Sequence, residues 1–201
     1  MTRRNSSRTE QMRLALAQEA ARLMAEQGIE DFLLAKRKAA ERFGISDKVV
    51  LPRNAEIEEA LIAHQRLFQP RKHSVQLTEL RRSALKLMRL LNDFQPRLVG
   101  SVLSGSASAH SEINVHVFVD QPERVSLVLH ERGIDHQHAE KKFRYESDRY
   151  VNYPSFKFVA GEHSVEVIAF PLDGTRQAPL SPVDGKAMQR ATIAEVEALL
   201  L

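Results

Sequence analysis

With 201 residues, 43% of them hydrophobic and 27% charged, the chain can build one full domain with an appendage, or two small domains, around an ordinary core. It has no cysteine, which excludes disulfides, thiolate metal sites and cysteine nucleophiles and points to a reducing compartment. No apolar run approaches the roughly 18–20 residues of a membrane span, and residues 1–8 lack the apolar core of a signal peptide, so the expected address is cytoplasmic, with no membrane partner.

The formal charge of +3 sits in one place. Arg3, Arg4 and Arg8 account for the whole excess, and residues 1–8 are expected to be a disordered basic tail. Such a tail adds sequence-independent attraction to phosphates, or simply solubilises an end.

Residues 9–94 read as a helical region. A first helix over residues 9–27 carries Met12, Leu16, Ala20 and Leu23 at helical spacing, with Gly28 as its stop. A second over residues 29–43 ends at Gly44. Pro52 and Asn54 open a third, with Ile57, Leu61, His64 and Phe68 on one face and a loop at residues 69–73. The fourth, residues 75–94, has the longest stripe: Leu77, Leu80, Ala84, Leu87 and Leu91, a core-facing pattern that favours docking on the second half. Lys36, Arg37, Lys38, Arg42, Lys48 and Arg53 form one basic stretch, and Arg71, Lys72, Arg81, Arg82, Lys86 and Arg89 another. Converging, these faces would attract phosphates; apart, they are solvated helix surfaces. No aromatic residues are interleaved to stack single-stranded bases.

Residues 95–201 change texture. A short strand at residues 97–100 follows Pro96. Residues 112–119 alternate, with Ile113, Val115, Val117 and Val119 on one face. Residues 121–131 read as a helix stopped by Gly133, and strands follow at residues 137–145, 155–159 and 164–170. A Pro-rich passage leads to a short helix from Thr192. Strand, helix, then several strands describes a mixed sheet, so the class is α+β: a helical region, then an α/β domain.

The chemistry concentrates between Gly100 and Asp120. A strand running into Gly100-Ser101 presents backbone N–H groups to an anion, glycine allows close approach, serine adds a hydroxyl, and a helix start adds its positive end. Ten residues later come Glu112-Ile113-Asn114-Val115-His116, where residues 112, 114 and 116 share one strand face. Oxygen ligands at i and i+2 can grip a hard cation, and Glu166, flanked by Val165 and Val167, is the candidate third ligand on a neighbouring strand.

Val99-Gly100-Ser101, the ten-residue spacer, Glu112-Ile113-Asn114 and the later Glu166 resemble the pattern of the DNA polymerase β-like nucleotidyltransferase superfamily, over residues 97–170. The resemblance implies that Gly100 and Ser101 hold a nucleoside triphosphate. It implies that Glu112, Asn114 and Glu166 hold Mg²⁺ or Mn²⁺, and that Glu166 helps activate the attacking hydroxyl. The chain departs from the pattern in three ways. Asn114 is neutral, Glu112 reaches one methylene further than aspartate, and Val102-Leu103-Ser104-Gly105 offers no charge after Gly-Ser. His116 reads either as a ligand for a softer ion such as Mn²⁺ or as an exposed strand residue.

Two functions are open. One is a divergent metal-dependent nucleotidyltransferase acting on a hydroxyl of a nucleic acid or protein acceptor. The other is a catalytically inactive nucleotidyltransferase-like module that binds nucleic acid or a protein partner. No Walker-type loop or nucleophile elbow is present, and Asp135, His136 and His138 need further ligands to make a zinc site. Lys141, Lys142 and Arg144 on the following strand either contact phosphates or face water, the second being the expected case.

Overall fold

The structure is a computed structural model that describes residues 2–45, 50–68, 70–108, 111–146 and 148–201, so Met1, Lys48 and the loop residue Gln69 lie outside the described residues. The chain divides into two compact units: residues 1–74 with 182–184, and residues 75–181 with 185–201.

The first unit is helical. Its elements are α1 (Thr2–Gln27), α2 (Phe32–Arg42) and α3 (Asn54–Phe68). Helix α1 starts at Thr2, so the backbone of the expected basic tail continues the helix; no glycine or proline stands between Thr2 and Gln27 to stop it. Leu16, Ala17, Ala20, Ala21, Leu23 and Met24 pack against Ala35, Ala39 and Ala40 of α2 and Ile57 and Leu61 of α3. Helix α2 begins later than residue 29 because the Asp31 carboxylate accepts from the Leu34 amide at 2.7 Å and caps it. On α3 the buried set is Ile57, Leu61 and Gln65, whereas Phe68 is 70% exposed and stacks on His64. The spacing admits either stripe, and packing selects the one through Gln65.

The second unit holds the sheet. Helix α4 (Pro70–Leu90) starts at a proline, tolerated in a first turn that needs no N–H donor, so the expected loop at residues 70–73 is helical. Leu80, Ala84, Leu85, Leu87, Met88 and Leu91 are buried with the sheet's core, and the units accordingly part at Ser74 rather than after Phe94. Among the described residues five strands form one mixed sheet in the order β1-β2-β5-β4-β3: β1 (Arg97–Val99), β2 (Ile113–Phe118), β3 (Gln137–Arg144), β4 (Tyr150–Ala160) and β5 (His163–Phe170). Only β2 and β5 run parallel. Strand β4 extends to the N-terminal side of Pro154, where it pairs with β3 alone; its pairing with β5 begins at Ser155. The fold class is α+β, as the sequence pattern implies.

Alternation along the strands gives the sheet two faces. Ile113, Val115 and Val117 join Val165, Val167, Phe156 and Phe158 beneath α4, with α6 (Glu123–Glu131) and α7 (Ile193–Ala198) contributing Val125, Leu129 and Val196. The opposite face carries Asn114, His116 and Phe118 on β2 and their register partners Glu166, Ile168 and Phe170 on β5. Phe118, Phe143, Tyr145, Ile168 and Phe170 form a second, aromatic core at one end of this face. The polar residues occupy the other end. An isolated bridge, Leu98 to Ala191, lays the C-terminal segment beside β1, and Thr192 with Glu195 forms a capping box at the start of α7. No helix among the described residues is long and apolar enough to cross a membrane.

Candidate functional site

The site begins at the turn after β1. Gly100 adopts φ 74° and ψ −156°, a region essentially restricted to glycine. A Cβ there would lie 4.0 Å from the Asn114 Cβ, ordinary contact distance, so glycine serves the backbone and not the space. Gly100→Ala should therefore destabilise the unit by about 1–3 kcal/mol through strain alone, read by urea denaturation. A neutral substitution would show that the turn relaxes without a left-handed residue. The following helix, α5 (Ser101–Ser104), is a single turn, so the dipole expected of a helix start contributes little. Its first amides have no intrahelical acceptor, and its carbonyls are capped by Arg81, which donates to Val102 O and Leu103 O at 3.2 Å each.

Strand register brings the acids to this turn. Val99 of β1 pairs with Asn114 of β2, and Asn114 pairs with Glu166 of β5. Glu112 immediately precedes β2 on the same face. Glu112, Asn114 and Glu166 are thus gathered beside Gly100. What the sequence reading missed is the pair of lysines among them. Lys157, the register partner of Glu166, places Nζ 3.6 Å from Glu112 Oε1 and 3.7 Å from Glu166 Oε1. Lys141 donates to Asn114 Oδ1 at 2.7 Å and to Glu166 Oε2, and stands 4.0 Å from Glu112 Oε2. It does not face away into water.

Glu166 is only 2% exposed, and its ionised form needs these partners. Burial, the largest single influence, pushes its pKa up, but the Lys141 hydrogen bond and charge, together with the Lys157 charge and weaker contacts, hold it below the ordinary value. Burial and the negative Glu166 push Glu112 the other way, upward, against the opposing pull of both lysines. Asn114 donates through Nδ2 to the Glu112 carbonyl at 3.1 Å, which leaves Oδ1 turned to Lys141.

No protein-family model, curated protein or solved structure matches this chain. A divalent ion needs free oxygen lone pairs and uncompensated negative charge. Here the two carboxylates are balanced by two ammonium groups, and the neutral Asn114 adds no charge. Among the described residues no trio of His, Asp or Glu is placed to hold a metal. As arranged, this donor set does not fit Mg²⁺ or Mn²⁺.

His116 is neither an exposed residue nor aligned with the acids' outer end. It is wholly buried, and its Nδ1 accepts from Arg190 Nε at 3.2 Å. The bridge between Leu98 and Ala191 positions Arg190, and Arg97 is the register partner of His116. Burial, then the positive Arg190 and Lys141, hold the His116 pKa well below its ordinary value. On the other side of the unit, Ser126 Oγ meets His136 Nε2 at 2.7 Å and His138 Nε2 at 3.4 Å, with no acidic third ligand among the described residues. The basic stretches do not remain a free set: Arg42 pairs with Glu19, Arg53 with Glu56 and Arg89 with Glu197, while Arg81 turns to α5.

Proposed function

We propose that residues 97–170 form a nucleotidyltransferase-like module that holds a nucleoside triphosphate against Gly100-Ser101 and acts by binding, with a nucleic acid or a protein as the partner of the chain. The observation that carries this reading is the convergence of Glu112, Asn114 and Glu166 on one sheet face beside Gly100. Strand order supports it as well, since the Gly-Ser strand, the strand led by Glu112 and the Glu166 strand are neighbours, β1-β2-β5. Neutral Asn114 and the lysine-bonded acids favour binding over transfer. A second reading, metal-dependent transfer of a nucleotidyl group to a hydroxyl with Mg²⁺ or Mn²⁺, is favoured by the retention of both Glu112 and Glu166. It requires the ion to displace Lys141.

A thermal-shift series with the four ribonucleoside triphosphates, each in EDTA, Mg²⁺ or Mn²⁺, separates the two. Binding without transfer predicts stabilisation in EDTA, about 2.7 kcal/mol at roughly 100 times the dissociation constant, lost in Gly100→Val. Stabilisation that demands metal, together with label transfer to an acceptor, favours the transferase. No response to any nucleotide sinks both.

A further inference from the structure

We propose that Lys141 and Lys157 are the resident cation of this site: their ammonium groups stand between Glu112, Asn114 and Glu166 where a divalent ion would stand, and they mask a cation site that the acids would otherwise form. The proposal rests on the nucleotide-site reading for the identity of the ligand, but not for the cation chemistry itself.

Three observations carry it. The first is position, because Lys141 bonds the same oxygens of Asn114 and Glu166 that a metal would use, while Lys157 lies against Glu112 and Glu166. The second is charge. Two carboxylates and two ammonium groups sum to zero, the same local balance that two carboxylates and one divalent ion would give. An arriving divalent ion would add two positive charges to a neutral cluster and would have to strip Lys141 from a carboxylate that is 2% exposed. The third is access. The Lys141 and Lys157 side chains are 35% and 46% exposed, so the cluster is not sealed from solvent. An ammonium has three donors; Lys141 spends two on Asn114 and Glu166, with Glu112 Oε2 4.0 Å away.

The two strands that supply the lysines explain why the substitution works sterically. Lys157 sits directly across from Glu166 in the register, whereas Lys141, the partner of Tyr153, crosses the twisted face diagonally. A long flexible side chain is needed for the second, and lysine's point charge suits a site that has no planar bidentate geometry.

The test is Mn²⁺ binding by the full chain without nucleotide, followed by electron paramagnetic resonance. The wild type is compared with the double variant Lys141→Gln, Lys157→Gln, in which amide donors remain and both charges go. We expect no saturable site in the wild type and one Mn²⁺ per chain in the double variant, with an affinity at least about tenfold above any weak wild-type association, lost again on adding Glu112→Gln. Comparable Mn²⁺ binding by wild type and variant overturns the proposal, as does a folded double variant that gains none. If the double variant is unfolded by circular dichroism, the single Lys157→Gln, which leaves the Lys141–Glu166 pair intact, must show a smaller gain. A saturable wild-type site abolished by Glu112→Gln overturns the proposal without any lysine variant. Because nucleotide is absent throughout, a Mn²⁺ gain with no thermal response to triphosphates would reject the nucleotide reading and leave this inference standing.

Discussion

Lys141→Met is expected to destabilise the sheet-bearing unit by about 2–3 kcal/mol at neutral pH, less than the 3–5 kcal/mol of a fully enclosed pair because the lysine side chain is 35% exposed. The variant leaves Glu166 buried and ionised with Lys157, at 3.7 Å, as its one nearby cation among the described residues. The pH dependence identifies the cause. In the wild type the Glu166 pKa is held below its ordinary 4.5, so its contribution to stability is present above 4.5 and is lost as pH falls through the folded value. Without Lys141, burial is opposed chiefly by Lys157, and the folded pKa is expected to rise above 4.5. The penalty is then absent at acid pH and grows as pH rises from 4.5 through the raised value. Urea denaturation of both proteins from acid to neutral pH should show curves that meet in acid and diverge on the way up. Adding Glu166→Gln to the variant should recover most of the loss, since a neutral amide does not need the ammonium. A deficit of equal size at every pH would mean that Lys141 acts by packing alone.

Local pattern reveals this molecule unevenly. The α4 stripe, the alternation of β2 and the Glu166 strand were legible because each depends on one periodicity, and the same alternation put Glu112 and Asn114 on one face, the face that Glu166 shares. Lys157 carried the same signal as Glu166, a charge between Phe156 and Phe158 in an apolar strand, and could have been found by the argument that found the acid. Lys141 could not. Its neighbour in the register is Tyr153, and only the twist of the assembled sheet brings its ammonium to residues of β2 and β5. The placement of His116 failed for a similar reason. Strand parity put it on the polar face, but the segment that covers it arrives from residues 174–190, through a bridge that no local spacing announces. The N-terminal start of β4 was hidden by Pro154, which ends a strand in most sequence contexts but is accommodated here beyond the reach of β5.

Arg190→Met should cost about 2–3 kcal/mol, chiefly because it strips donors from one buried and one half-buried acceptor. The guanidinium donates to Gly174 O at 2.7 Å and to His116 Nδ1 at 3.2 Å, and lies 5.1 and 4.9 Å from the Phe118 and Phe170 ring centroids. Each lost bond to a buried partner is worth about 1–3 kcal/mol and the ring contacts about 0.5–2, but these do not add, and the desolvation that lowers the Arg190 pKa is relieved at the same time. The signature again lies in pH. His116 is held neutral in the folded chain, first by burial and then by the charges of Arg190 and Lys141, so its folded pKa lies well below the ordinary 6.5. The unfolded chain takes up the proton first. Stability is therefore intact above 6.5 and falls as pH drops from 6.5 toward the folded value, by at most about 1.4 kcal/mol per unit. Removing Arg190 deletes one positive neighbour and moves the folded pKa of His116 up toward 6.5. The variant starts less stable at neutral pH, yet it should lose less on acidification between 6.5 and 4.5, the interval above the carboxylate range. His116→Gln should flatten the same interval further. Thermal midpoints that fall in parallel for wild type and Arg190→Met would show that the arginine supports the aromatic core without setting the protonation of His116.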